Sequence, residues 1–317
     1  MNTTEKVILE QFPFWEKALG SNGATERRDL LVYVGCGTSY YLALALAAYA
    51  NRAGYKAIAV PGAEWLNGPA FYWPEWQKTH VVAISRSGET TETVAAAKAS
   101  REAGAFVTGL TVEADSSLAR NSDQVVASAT HTDEGIVMTV SASLMLLLGL
   151  QMIGQTVSAS VVASARQLAL ALDGALPNSV HQRSHVVFLG SGPLFGIASE
   201  GALKLMEMSQ VMTQAFHPLE YRHGPISLVD EKTAAVMLYS PDQKVAEAKL
   251  VEELREKGAF VIGLGGPGDI ELAVETGPRL EGLVMLPALQ ILGERAAQAR
   301  GIDTISPRHL TKVVTLA

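Results

Sequence analysis

The sequence predicts an α/β protein made of two like halves, each a parallel sheet with helices on both faces. Two observations carry this. Short runs rich in Val, Ile and Leu, such as LLVYV, KAIAV, THVVAIS, AFVTGLTV and QVVAS, alternate with longer segments of helical pattern. Buried parallel strands joined by crossover helices require that alternation. The plan then returns: HVVFLGSGPLFG echoes LVYVGCGTSYYL, with Gly35-Cys36-Gly37 answered by Gly190-Ser191-Gly192 at an offset of 155 residues. VMLYSPDQ echoes VAISRSGE at the same offset, pairing Ser85 with Ser240, and REAGAFVTGL returns as REKGAFVIGL at 154. Matched segments in one order and at near-constant spacing point to a duplication.

Taken in order, residues 1–24 read as an amphipathic amino-terminal helix; acidic residues come early and no basic region precedes an apolar run, so it is not a secretory signal. A strand from about Leu30 to Val34 runs into the Gly-rich turn GCGTS and a helix beginning near Ser39. KAIAV is a second strand, followed by the short loop GAEW. The next strand, Thr79 to Ser85, ends in SRSGETTET, which opens a helix through about Ala103. Beyond AFVTGLTV, the helical turn SSLAR and QVVAS, one long helical region covers about Thr139 to Leu172. Its apolar part, Val137 to Gly154, approaches the length of a membrane span. Ser141, Ser143 and Gln151 interrupt it and no basic cluster or aromatic belt flanks it, so it reads as a buried core helix. Gly, Pro and Asn cluster between Asp173 and His185 and mark the joint between halves. The expected organisation is thus 1–24, a first subdomain over 25–175, a second over 176–305 and a tail over 306–317.

The chain has 317 residues, 48% hydrophobic and 18% charged, enough for real cores and unlike a disordered chain. Cys36 is the only cysteine, which rules out an intramolecular disulfide and fits a reducing cytoplasm. A net charge of -7 without a basic stripe argues against nucleic acid as a partner, so an anionic ligand needs local donors. Seven scattered histidines and one cysteine offer no metal-ligand spacing. No nucleotide P-loop is present and no G-x-G-x-x-G precedes an acidic residue, so neither a metal nor a nucleotide cofactor is expected.

The two halves differ at their strand-to-helix turns. In the first, Cys36-Gly37-Thr38-Ser39 and Ser85-Arg86-Ser87-Gly88-Glu89-Thr90 are dense in hydroxyls; in the second, Ser191-Gly192-Pro193-Leu194 and Ser240-Pro241-Asp242-Gln243 carry prolines that remove N–H donors. Phosphate binds where helix N-termini and small hydroxyls converge, at the carboxyl ends of strands in an open α/β sheet. The same Ser and Thr residues also read as plain helix caps. The segment EGALKLMEMSQVMTQAFHPLEYRHGP adds a helix that is apolar on nearly every side except for one row, Glu200, Lys204 and Glu207. At i, i+4 and i+7 these side chains leave along one line, facing either a charged partner, a subunit boundary or a ligand cavity, or pairing on a solvated face. His223 precedes a Gly-Pro turn and reads equally as a loop cap. Cys36 reads as a small core residue beside a glycine turn, Lys312 as a solvated tail residue, and Glu64 as a ligand contact or a helix cap.

With GCGTS, SRSGET, EGALKLMEMS, RHGP and the terminal SPRHLTKVVTLA in place, the chain resembles the double sugar-isomerase (SIS) domain family over essentially its whole length. Within that family the pattern resembles the isomerase half of glutamine-fructose-6-phosphate aminotransferase and the free-standing hexosamine-6-phosphate deaminases and isomerases. The resemblance implies two tandem SIS subdomains of flavodoxin-like, three-layer build. It implies sugar-phosphate binding by Cys36, Gly37, Thr38, Ser39, Ser85, Arg86, Ser87 and Thr90, with Thr139 as a further substrate contact. Glu207 falls on the carboxylate that moves a proton between C1 and C2, His223 on the residue assisting ring opening, and Lys312 and Lys204 on active-site lysines. Similar proteins are dimers whose HGP histidine reaches the neighbouring subunit's site, so a homodimer with shared sites is expected. Two departures stand out. The family's Ser-Thr-Lys run is replaced by Met138-Thr139-Val140-Ser141, nearer the galactosamine-type members, and a glutaminase domain ahead of the SIS part is not expected, since residue 2 is Asn rather than a nucleophilic cysteine.

Interconverting an aldose and a ketose needs one base that serves two neighbouring carbons, and a carboxylate on a rigid apolar helix, its pKa raised by burial, suits that task. Histidine suits ring opening near neutral pH, and lysines stabilise oxyanion charge or form an imine. The expected function is therefore conversion of an amino-hexose 6-phosphate, glucosamine or galactosamine 6-phosphate, to a ketohexose 6-phosphate and ammonia. The rivals are a fructosamine-6-phosphate-type deglycase and a sugar-phosphate sensor without catalysis.

Overall fold

The computed structural model describes residues 1–20, 25–275 and 279–314. The chain divides into two compact units. One is formed by 13–158 with 309–317, the other by 1–12 with 159–308, so both chain ends cross the halves read from sequence. The stretch expected as one amino-terminal helix is two, α1 (Thr3–Leu9) and α2 (Phe12–Ala18). Residues 21–24 and 315–317, which complete the expected first and last segments, lie outside the described residues.

The first unit contains β1 (Leu30–Gly35), α3 (Thr38–Arg52), β2 (Ala57–Pro61), α4 (Gly62–Asn67), β3 (Thr79–Ile84), α5 (Thr91–Glu102), β4 (Phe106–Thr111), α6 (Ser117–Arg120), β5 (Gln124–Ala127) and α7 (Val140–Met152). GAEW, read as a loop, is the first turn of α4. All five strands are parallel, in the order β2-β1-β3-β4-β5. In this doubly wound arrangement the strand order reverses between β1 and β3, and the crevice beyond their carboxyl ends is where such sheets take ligands. On one face Val32, Val34, Val81, Ala83 and Val107 form a core with Trp65, Ala96 and Ala97 of α4 and α5. On the other side α7, hydrophobic all round and buried at twelve of its thirteen positions, packs on α3. Its buried leucines each contribute on the order of 2 kcal/mol by removal from water. The approach is close: a Cβ on Gly149 would stand 2.6 Å from Leu46. Among the described residues no helix is long and apolar enough to cross a membrane.

The single helix expected from Thr139 to Leu172 is broken. Gly154 takes φ +81, its N–H and that of Gln155 return to the carbonyls of Gln151 and Leu150, and a new helix, α8 (Ala159–Ala175), begins in the second unit. Only glycine takes that φ without strain, and this closes α7 in the usual glycine-ended way.

The second unit repeats the plan with β6 (His185–Gly190), α9 (Pro193–Ser209), β7 (Met212–Phe216), β8 (Thr233–Leu238), α10 (Lys244–Glu256), β9 (Phe260–Leu264), β10 (Ile270–Leu272) and α11 (Glu281–Ala299). Its parallel order, β10-β9-β8-β6-β7, matches the first. The turn before each first helix is superposable: Gly37 has φ 55, ψ −126 and Gly192 has φ 56, ψ −127. Strand register corrects one sequence pairing. Leu30 faces Thr79 as His185 faces Thr233, and Ser85 N–H donates to Leu110 as Tyr239 N–H donates to Leu264. Ser85 therefore corresponds to Tyr239, not Ser240, and Thr93 corresponds to Glu247. The halves differ by one residue between the first and third strands of the sheet, which an ungapped comparison spreads over the wrong loop.

Candidate active site

In the first unit the two hydroxyl-rich turns lie where expected, at the carboxyl ends of the adjacent strands β1 and β3. The residue capping α3 is Gly37, with no side-chain cap, and the cap of α5, Thr90, makes no side-chain capping bond. The reading of these hydroxyls as helix caps therefore does not hold for Thr90 or for the α3 turn. Gly35 permits the turn into α3, since a Cβ there would stand 2.7 Å from the backbone of Ser39. The second turn is closed on itself. Ser85 Oγ lies 3.1 Å from Thr90 Oγ1 and accepts the Gly88 N–H at 3.1 Å, while Ser87 Oγ accepts the Glu89 N–H at 3.2 Å. Glu89 in turn accepts the Ser117 N–H at the start of α6. Gly88 is required, because its φ is +63 and a Cβ would meet Ser116 Oγ at 2.0 Å. These turns are thus preorganised before any ligand arrives.

Cys36 is half-buried, its Sγ 3.5 Å from Thr93 Oγ1. Burial is the largest influence on the thiol and pushes its pKa up, with Glu92 adding to it, so Cys36 is a neutral neighbour of the turn and not a nucleophile. Arg86, expected among the phosphate ligands, directs its guanidinium at backbone carbonyls. Its side chain is 8% exposed, and its guanidinium donates to the Gly135 carbonyl at 3.1 Å and the Lys312 carbonyl at 2.9 Å. Lys312 is not a purely solvated tail residue, for its Nζ donates to the Glu134 carbonyl at 3.0 Å. Thr139 is buried, and both its N–H and its hydroxyl are directed at one carboxylate oxygen of Glu134, which also accepts from the N–H and hydroxyl of Ser141. Glu134 was not singled out by sequence. Its signal was an acidic residue one turn before an apolar helix that has no cap of its own, and a carboxylate at that place satisfies the open N–H groups of α7.

In the second unit the polar row on α9 is real and is not on a solvated face. Glu200 and Lys204 are fully buried, and Glu207 is 21% exposed at its side chain. Lys204 Nζ lies 3.6 Å from Glu200 Oε1 and pairs closely with Glu207. The environment of Glu207 is therefore a lysine ammonium at the edge of the row, not the apolar burial expected from sequence. His223 sits on a separate exposed turn after a short 3₁₀ segment. That turn is anchored by Arg222, which donates Nε and Nη2 to the two oxygens of Glu253 on α10 at 3.0 and 2.7 Å.

The second unit's own switch point is occupied. Glu247 is fully buried; it accepts the Ser191 hydroxyl at 2.7 Å and the Ser240 N–H at 2.8 Å, so one carboxylate links the turns after β6 and β8. Burial dominates and raises its pKa. The equivalent residue in the first unit is Thr93, whose short side chain lies against Cys36. Sequence comparison missed this because it aligned Ser240 with Ser85 and so never set Thr93 against Glu247.

The chain belongs to the SIS domain family, which it matches over residues 26–153 and 179–276. Among curated relatives, the glutamine-fructose-6-phosphate aminotransferase of Pyrobaculum aerophilum is 32% identical, covering 93% of this chain and 53% of that protein. The corresponding enzyme of Symbiobacterium thermophilum is 30% identical, over 92% and 53%. The chain thus spans about half the length of the curated relatives it matches. Among solved structures, a glucosamine-6-phosphate deaminase from Thermotoga maritima is 29% identical with a TM-score of 0.83, covering 99% of this chain and all of that one. A tagatose-6-phosphate ketose/aldose isomerase from Escherichia coli shares the fold, with a TM-score of 0.81 at 22% identity.

Proposed function

We propose that the protein is an enzyme converting an amino-hexose 6-phosphate to the ketohexose 6-phosphate and ammonia. The observation that carries this reading is the pair of preorganised hydroxyl-bearing turns at the β1/β3 switch point, whose N-cap residues, Gly37 and Thr90, make no side-chain capping bond. A phosphate accepts from small hydroxyls and helix N-termini there, and its binding holds the rest of the sugar for reaction. Similarity to a glucosamine-6-phosphate deaminase supports the deaminating version.

The chemistry balances without a redox partner. In the open-chain 2-amino aldose, Glu207 takes the proton from C2, the C1 carbonyl becomes an enol, and an enolamine forms. The carboxyl returns the proton to C1, leaving an imine at C2 that water hydrolyses to the ketone with loss of ammonia. Lys204, paired with Glu207, holds the carboxylate in place and balances its charge. His223 opens the ring and Lys312 steadies the oxygen at the carbonyl end. A homodimer in a cytoplasmic setting is part of this reading, and the exposure of His223 on its anchored turn supports the former.

The test is Glu207→Gln with glucosamine 6-phosphate and galactosamine 6-phosphate in deuterated water. The wild type is expected to release ammonia and incorporate solvent deuterium at C1. The variant should lose both by at least a thousand-fold, with phosphosugar binding within a few-fold. Continued deuterium incorporation by the variant removes Glu207 from the mechanism; release of a free amino acid from a fructosamine 6-phosphate in place of ammonia makes the protein a deglycase.

A further inference from the structure

Arg86 lies in the turn that the proposed function gives to phosphate, and its contacts point to different work. The guanidinium donates to neutral backbone carbonyls of two segments far apart in sequence, at Gly135 and Lys312. The side chain is 8% exposed, so its charge is withdrawn from solvent into a space between chain segments. Lys312 answers the contact: its Nζ donates to the carbonyl of Glu134, next to the residue whose carbonyl Arg86 holds. Glu134 is itself fixed by Thr139 and Ser141 at the head of α7. The turn after β3, the segment before α7 and the tail are therefore tied to one another through Arg86 and Lys312.

Arginine is shaped for such a tie. Its rigid planar fork presents several N–H groups in fixed directions, so it can hold two carbonyls of different segments at once. Lysine carries a point charge on a flexible stem, and glutamine has a single donor nitrogen. Among the described residues of the tail, 309–314 contain no helix or strand, and Arg308, His309 and Leu310 are exposed. A terminus of that kind stays loose unless something ties it down.

We propose that Arg86 is a positioning residue that fastens the carboxyl-terminal tail and thereby sets the place of the Lys312 side chain, and that it is not a ligand of the phosphate. The tail part stands on contacts alone; the catalytic part rests on the proposed function.

Arg86→Gln and Arg86→Lys test it, with Arg86→Met used if the glutamine variant does not fold. Hydrogen–deuterium exchange and trypsin cleavage after Arg308 and Lys312 are read without substrate. Tail amides over 309–314 should lose protection, and cleavage should speed up at least ten-fold in Arg86→Gln, with Arg86→Lys in between. Inhibition by inorganic phosphate, and KM for glucosamine 6-phosphate, should stay within three-fold while kcat falls ten-fold or more. Weakening of phosphate inhibition beyond ten-fold, or a tail that stays protected in a folded variant, overturns the proposal. If the tail loosens as expected but the wild type never turns over an amino-sugar phosphate, the clamp stands and the functional reading fails.

Discussion

At the scale of single residues, two buried ionisable groups show how environment decides chemistry. Lys204 is one of the largest fully buried side chains, and Glu200 and Glu207 flank it with carboxylates that offset the cost of burying a charge. Removing one partner of such a group costs about 3–5 kcal/mol, since the remaining charge is stranded. His80 shows the opposite solution. It is buried on β3, its Nδ1 donates to the Glu26 carbonyl at 3.0 Å and its Nε2 lies 2.8 Å from the Thr108 hydroxyl. Burial, the largest influence, lowers its pKa from 6.5 to about 4. Because the unfolded chain binds the proton more readily, the stability from a neutral His80 is fully present above pH 6.5 and is lost as pH falls toward 4. Between pH 7.5 and 5 the loss is about 2 kcal/mol. Urea unfolding of wild type and His80→Gln across that range should show their stability difference shrinking by this amount; parallel curves would remove His80 from the acid sensitivity.

Among the elements, α9 is closely held by its neighbours. It carries the Glu200, Lys204 and Glu207 row and packs on α11 and on β6 within its unit. Gly201, between Glu200 and Lys204, is there for space: a Cβ would stand 2.7 Å from Leu289 Cδ1 and 3.0 Å from Phe188 Cε1. Alanine at a helix interior gains about 1 kcal/mol in propensity over glycine. Overpacking a dense core costs about 1–3 kcal/mol, and two buried neighbours contribute here. Gly201→Ala is thus expected to destabilise by about 1 kcal/mol net and to lower activity more than stability, as α9 shifts the Glu207 carboxylate. Denaturant midpoints and turnover measured on the same preparation check it, and a stabilised, fully active variant would show that the helix has room to move.

For the molecule as a whole, the instructive fact is that duplication produced two sheets of the same order but not two equivalent switch points. Where the first unit has Thr93, the second has Glu247, and the longer side chain brings a buried carboxyl group to Ser191 and Ser240. A built-in carboxyl group excludes a phosphate by filling its place and taking up its donors. The chain should accordingly bind one phosphate at the first unit, and Ser87→Ala with Thr90→Ala should abolish it. Adding Glu247→Thr to that double variant, copying the first unit, should create millimolar phosphate binding. Calorimetric titration with inorganic phosphate against chloride at equal ionic strength reads both steps. A folded triple variant that binds nothing would mean that the second unit has lost the cradle as well as the opening.

Much of this was determined by sequence alone, because it depends on local pattern. Buried parallel strands are short apolar runs whatever surrounds them, so the strand positions, the duplication and the two hydroxyl-rich turns were legible, as was the row on α9 from its helical spacing. The break at Gly154 was blurred because apolar residues continue on both sides of a glycine. Only the tertiary structure decided which charges meet. Arg86 binding the backbone of Gly135 and Lys312, Glu134 closing the head of α7, Lys204 pairing with Glu207, and Glu247 filling its own switch point are all choices of partner. A charged side chain is satisfied by whichever donor or acceptor folding brings within about 3 Å, and most of these partners lie too far along the chain for any local pattern to reveal them.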